Sequence, residues 1–400
     1  MTNNNIAESL CGNFSGNFYG YIEGYYGQLL SWSARHELLA VMAELGMNSY
    51  FYAPKDDAAH RFDWRQSYDA DWRRGFADFT AAAARNGIQI IAGIAPGLDF
   101  NFASLDQPRA GDFACLVDKA RQLSADGASH VSLLMDDIAA DFTGRAGSFH
   151  SEGTAHAALA NQLADAIDRP LIMVPRIYAD SLISEDDPQS LPYLADLTTA
   201  LAPHMPIVYC GNDIVAQQTG ADMSGYIAEN RLIIWDNFYA NDYCPRRLFV
   251  GPWRRPSGGP NVMLNPTGLV ETDKLLLQLM PIGDDAESWR DFLARYVPEE
   301  FFPVACYFDA PYGFAAKFAT PPTQLAIDAV DHLLWRWKSP LQREWYPALM
   351  GLKQDLLMAD GQMANARIAK TQSAPLAALL AKPPTYCGAG DCLSTGSCTA

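Results

Sequence analysis

From residue 18 to residue 280 the chain alternates short apolar runs with longer amphipathic stretches. Runs at 18–22, 48–52, 88–94, 131–135, 170–174, 206–209, 231–235 and 261–264 show no helical periodicity, so each reads as a strand buried on both faces. Residues 34–45, 69–85, 113–123, 152–167, 190–201 and 269–280 read as helices, with a weaker helix over 222–229. Gly46, Asn86-Gly87 and Gly127 supply stop signals for the first three. Eight strands, each followed by a helical pattern within about 265 residues, predict an α/β fold, the (β/α)8 TIM barrel. An open doubly wound sheet fits less well, because no glycine-rich phosphate loop follows the first strand. Beyond Gly283 only helical patterns follow, at 289–296, 322–337 and 347–370, which predicts a smaller all-helical C-terminal domain. The expected organisation is a leader over 1–17, a catalytic barrel over 18–283, a helical domain over 284–381 and a flexible tail over 382–400, which opens just before Pro383-Pro384.

The 400 residues carry a formal charge of −17, which repels phosphate backbones and anionic membranes, so neither nucleic acid nor a membrane surface is an expected partner. No stretch approaches the roughly 20 apolar residues of a membrane span. The opening MTNNNIAESLCG has neither a basic region nor an apolar core, so no secretory signal is expected there. Cys11, Cys115, Cys210, Cys244 and Cys306 are scattered singly, a pattern that suits a reducing cytoplasm. Cys387, Cys392 and Cys398 lie among Gly, Ser and Thr at spacings that match no zinc template, and no cofactor or metal is expected.

The fourth run, inside SHVSLLMDDIAADF (129–142), ends in two consecutive carboxylates, Asp136 and Asp137. Taken alone, the pair equally fits a helix N-cap followed by a first-turn acid. In a barrel, however, chemistry gathers at the carboxyl ends of the strands, and the other ends make a consistent set. They carry Glu23-Gly24-Tyr25-Tyr26, then Lys55-Asp56-Asp57 with His60, Arg61, Trp64 and Arg65, then Pro96-Gly97-Leu98-Asp99. After these come Pro175 and Tyr178, Gly211-Asn212-Asp213, Trp235-Asp236-Asn237 with Asn241-Asp242-Tyr243, and Asn265-Pro266. Each alone has a structural explanation in a turn, a cap or the core. Together, acids, amides, one lysine and aromatic rings at one rim suit a neutral, hydroxyl-rich ligand such as a sugar. No serine sits in a nucleophile elbow.

Adjacency of the acids constrains mechanism. Successive strand residues point to opposite faces, so Asp136 and Asp137 are not expected to share a role. A retaining glycosidase sets its carboxyls about 5 Å apart across the scissile bond, and an inverting one sets them farther apart. Neighbours in sequence straddle a sugar ring poorly. One acid that protonates the leaving oxygen, with the other steadying a substrate group, suits catalysis assisted by a 2-acetamido group.

The segments GYIEGYYG, YFYAPKDDAAHRFDWR, AGIAPGLDF, LLMDDI, IIWDNFYANDYCPRRLFVGP and MLNP, in this order over about residues 18–270, resemble glycoside hydrolase family 84. That family holds O-GlcNAcases and bacterial β-N-acetylglucosaminidases. The resemblance implies a barrel and a retaining, substrate-assisted (oxazoline) mechanism that removes terminal β-linked GlcNAc, including O-GlcNAc on Ser or Thr of proteins. It implies Asp136 as the group orienting the acetamido N–H and Asp137 as general acid, then base. It implies Gly24 (main-chain oxygen), Lys55, Asp242 and Asn265 as binders of ring hydroxyls. Asn237 and Tyr178 would touch the acetamido group or the intermediate, and Trp235 would wall its pocket.

Departures fall at Gln28-Leu29-Leu30, Trp64-Arg65-Gln66 and Tyr209-Cys210-Gly211, outside the implied catalytic groups. They leave the aglycone open, between a GlcNAc-bearing protein and a free glycan or wall fragment. No counterpart of the animal enzymes' acetyltransferase-like extension is expected. For the helical domain, packing beside the rim and forming a homodimer that shapes the groove both stay open. A catalytically weak GlcNAc-binding protein is the reading from another class, and the presence of Asp136, Asp137 and Lys55 counts against it.

Overall fold

The computed structural model describes residues 17–362, apart from 108, 218–225 and 257–258. The expected leader up to residue 16, and everything after 362 with Cys387, Cys392 and Cys398, lie outside the described residues.

Strands β1 (Tyr19–Glu23), β2 (Ser49–Tyr52), β3 (Gln89–Ile94), β4 (His130–Leu134), β5 (Leu171–Val174), β6 (Ile207–Tyr209), β7 (Leu232–Asp236) and β8 (Val262–Leu264) pair in sequence order, and β8 closes on β1. All pairings are parallel, with Tyr19 opposite Val262 and Tyr21 opposite Leu264 at the closure. Phe51, Ile91, Leu134, Ile172, Val208, Ile233 and Met263 fill the barrel interior. Their neighbours Tyr50, Ile90, Leu133 and Met173 face the surrounding layer and are equally buried. Burial on both faces is why the runs are continuously apolar.

Helices α1 (Trp32–Glu44), α2 (Ala70–Arg85), α3 (Gly111–Ala125), α4 (Glu152–Ile167), α5 (Ser190–Ala200) and α6 (Val270–Leu279) pack outside. Ser31 caps α1 by accepting from Ala34 N at 3.2 Å, and Asp69 caps α2 by accepting from Trp72 N at 2.8 Å. The expected helix before β7 falls partly outside the described residues; what is described there is one 3-10 turn, Glu229–Arg231. Between β7 and β8 the described residues form loop, with no helix, so not every strand is followed by one.

After the barrel come α7 (Ala286–Leu293), a 3-10 stretch Glu299–Tyr307, α8 (Gln324–Trp335) and α9 (Pro340–Ala359). The last helix begins at Pro340, not Pro347, because Ser339 caps it and Pro340 takes the first-turn position that lacks a required N–H. Pro347 sits inside it, and the helix stops at Ala359, before the expected residue 370. Among the described residues no helix is long and apolar enough to cross a membrane. The later helices bear directly on the barrel. The Glu344 carboxylate accepts from Glu271 N at 3.0 Å and Thr272 N at 2.8 Å, at the start of α6. Trp289 donates its indole N–H to Val250 O at 2.8 Å.

Candidate active site at the carboxyl ends of the strands

β4 ends at Leu134, and Met135 still donates to Val174 O at 2.9 Å. Asp136 and Asp137 therefore stand beyond the strand. Asp137 turns into the left-handed region with φ +53°. That turn cancels the alternation expected of strand neighbours. Both carboxylates face one ammonium, Lys55, from the loop after β2. Lys55 Nζ forms an ion pair and hydrogen bond with Asp136 Oδ2 and lies 3.6 Å from Asp137 Oδ2. The lysine side chain is 2% exposed, so the two acids share a buried charge. Asp136 Oδ1 is buried and has no hydrogen-bond partner in the protein.

Asp137 is also held by two phenols. Tyr26, just past β1, donates to Oδ2 at 2.8 Å, and Tyr178, past β5, donates to Oδ1 at 2.6 Å. Burial pushes the Asp137 carboxyl up, but the Lys55 charge and the Tyr178 and Tyr26 hydrogen bonds outweigh it and hold the group below the usual carboxylate value. Burial and the Asp137 charge in turn raise both phenols, so each remains a donor.

The opposite wall comes from β7, β8 and β1. Asn237 Oδ1 accepts from Trp235 Nε1 and Asn265 Nδ2, both at 2.9 Å. Asn237 Nδ2 donates to Ile214 O at 2.8 Å, and Asn265 Oδ1 accepts from Gly24 N at 3.1 Å. This chain fixes the amides and sets the plane of the Trp235 ring. Position 24 has to be glycine, since a Cβ there would lie 2.2 Å from Trp235 Cζ2. Asp242 Oδ2 accepts from Tyr26 N at 3.0 Å, so one residue ties the Asp242 side of the mouth to Asp137.

All nine sequence-predicted residues (Gly24, Lys55, Asp136, Asp137, Tyr178, Trp235, Asn237, Asp242 and Asn265) line one cavity of about 560 Å³. Other polar groups at the strand ends turn elsewhere. Glu23 pairs with Arg35 at 2.8 Å, outside the cavity. Trp64 and Arg65 both bond Asp99, and Asp236 accepts from Trp253 Nε1 at 2.7 Å. His60 is buried with Nδ1 on Gly93 O, and burial pulls it down to about 4, so it is neutral. Tyr26 and Tyr243, named in sequence among the strand-end residues but given no role, also line the cavity, as do Cys210, noted only as a departure, and Ile214, which sequence reasoning missed. The signal for Tyr26 was an aromatic pair held between Gly24 and Gly27 in the first-strand motif. Among the described residues no group of three or more His, Cys, Asp or Glu is placed to hold a metal ion.

The chain resembles known proteins. Protein O-GlcNAcase of Mus musculus and that of Rattus norvegicus are each 31% identical over 245 residues, 59% of this chain. The chain covers 26% of the length of these curated relatives. The solved structure of CpGH84B matches with a TM-score of 0.64 at 19% identity, over 91% of this chain and 70% of that one, a likeness of fold. The beta-N-acetylglucosaminidase (NAGidase) family profile spans residues 19–271, from the first residue of β1 to the start of α6. With the motif resemblance already described, that match makes this chain a member of the beta-N-acetylglucosaminidase family, glycoside hydrolase family 84.

Proposed function

We propose that the chain is a retaining β-N-acetylglucosaminidase in which the substrate supplies the nucleophile. The observation that carries this is the pairing at the end of β4. Asp136 is neutralised on one oxygen by Lys55 and leaves its other oxygen, Oδ1, buried and unpartnered. A buried acceptor of this kind calls for a donor, and an acetamido N–H supplies one. Accepting that proton's hydrogen bond enriches the acetamido oxygen, which attacks the anomeric carbon as the glycosidic bond breaks. Asp137, protonated in the bound complex, gives its proton to the leaving oxygen and becomes a carboxylate. It then takes a proton from the water that adds to the anomeric carbon, and the oxazoline opens to give product with retained configuration.

Ring hydroxyls fall to Lys55, Asp242, Asn265 and the main-chain oxygen of Gly24. Asn237 and Tyr178 face the acetamido group and the intermediate, and Trp235 walls that pocket. Substrates are terminal β-GlcNAc on proteins or glycans. The setting we infer is the cytoplasm, since the described cysteines, Cys115, Cys210, Cys244 and Cys306, are all free. Residues 284–362 serve as a helical buttress to the barrel, a role supported by Glu344 on the start of α6.

The test is hydrolysis of an aryl β-N-acetylglucosaminide beside its N-trifluoroacetyl analogue. A steep fall in rate with the fluorinated acetamide supports substrate assistance. Equal rates transfer the attack to an enzyme carboxylate, and turnover of neither substrate favours a GlcNAc-binding protein.

A further inference from the structure

Arg61 belongs to the HRFDWR segment after β2, and none of the roles above uses it. It is 5% exposed, and one guanidinium nitrogen donates to the main-chain oxygen of Asp137 at 2.7 Å. Asp137 and Asp168 are the described non-glycine residues with positive φ, at +53° and +49°. Asp168 is the C-terminal cap of α4, where a left-handed residue is ordinary. Asp137 has no such excuse, since it lies between a strand and a loop. Left-handed backbone in a residue with a Cβ persists where its surroundings impose it. Here three contacts do so: the two phenols on the carboxylate and the arginine on the carbonyl. The phenols act on the side chain alone. Arg61 is the side chain that grips the peptide itself.

We propose that Arg61 is a positioning residue: by holding the Asp137 carbonyl it imposes the left-handed turn that brings both carboxylates onto Lys55. This inference rests on the function proposed above, with Asp137 as general acid. Without the grip, the Asp137 peptide relaxes toward an extended conformation. The carboxyl then swings off the site where the leaving oxygen departs, while Asp136, one residue nearer the strand, keeps its place. Loss of Arg61 therefore looks like partial loss of the acid, not like loss of binding.

The test is a leaving-group series of aryl β-N-acetylglucosaminides on wild type, Arg61→Met and Arg61→Lys, with Arg65→Met as control. Arg65 stands in the same loop but bonds Asp99 and Asp112 instead of Asp137. For Arg61→Met, kcat falls about a hundredfold on the poorest leaving groups and less than about fivefold on the most activated, with KM within about twofold. Arg61→Lys, which keeps a buried cation and a donor, shows the same trend at smaller size and serves if the methionine variant does not fold. Arg65→Met shows no trend with leaving group. A loss uniform across the series, or a change in KM alone, overturns the proposal. A crystal structure of either Arg61 variant gives a readout free of substrate. Asp137 keeping its left-handed backbone beside Lys55 would overturn the positioning role even if wild type proved to turn over none of these glycosides, which would itself refute the proposed activity.

Discussion

The phenol of Tyr26 donates to Oδ2 of Asp137 at 2.8 Å, across 111 positions of sequence. Tyr26 is 43% exposed, so the contact closes the mouth of the pocket from the solvent side. It also favours the carboxylate form of Asp137, the group proposed above to deliver a proton.

Tyr26→Phe tests that restraint. With one hydrogen bond to the charged form removed, the Asp137 carboxyl rises from its lowered value. The acid is then protonated to higher pH, so the basic limb of the kcat/KM profile moves up in pH. The profile is measured on an aryl glycoside with a poor leaving group. A limb that stays in place or moves down would show that Tyr26 does not restrain the acid.

The two acids differ in how they fail. Asp137→Asn loses about 10²–10⁴-fold on poor leaving groups and little on activated aryl glycosides, where no strong acid is needed. Asp136→Asn slows attack itself, so an activated leaving group does not rescue it. Rescue of the Asp136 variant, or an equal loss on both substrates for the Asp137 variant, would reverse the assignment.

Asp236 ties stability to pH. Burial raises its carboxyl to about 6, although Trp253 and Phe238 both donate to it. The folded state thus favours the protonated form more than the unfolded chain does. Its contribution is full below about pH 4 and is lost as pH rises through about 6, on the order of 3 kcal/mol. Chemical denaturation across pH 4–7 should show wild-type stability falling, and Asp236→Asn should flatten that slope. A slope unchanged in the variant would assign the effect to another group.

Glu344→Ala probes the buttress. It removes the carboxylate from two N–H groups at the start of α6 and from the Thr272 hydroxyl. A loss of about 1–2 kcal/mol is expected, read as a Tm lower by a few degrees, with kcat/KM unchanged. A Tm equal to wild type would mean that the helical segment adds nothing through this contact.

The barrel could be read from the chain because strands buried on both faces leave unbroken apolar runs, and the ends of β1–β8 fall close to those predicted. Polar residues past the strand ends were harder, because the backbone there is set by contacts far away in sequence. The alternation expected of Asp136 and Asp137 failed at a single φ that no local pattern encodes. Asp99 and Asp236 look like site residues in sequence, yet they bond Trp64 and Trp253. The last helical pattern reads from residue 347, although the stronger start signal, Ser339-Pro340, lies before it. The roles of the pocket residues came from family resemblance, and their common cavity came from the fold.

The bond from Gly24 N to Asn265 Oδ1 spans 241 positions, and it belongs to the seam where β8 meets β1. A chain emerging from the ribosome has made Gly24 long before Asn265 exists. The first strand must wait, its pairing edge open, until almost the whole barrel has been synthesised. Closure of so distant a pair is slow and leaves the unfinished edge exposed to aggregation. The cavity at the strand ends therefore cannot be complete before β8 has been made, and a nascent chain that stops short of residue 265 lacks one of its lining side chains.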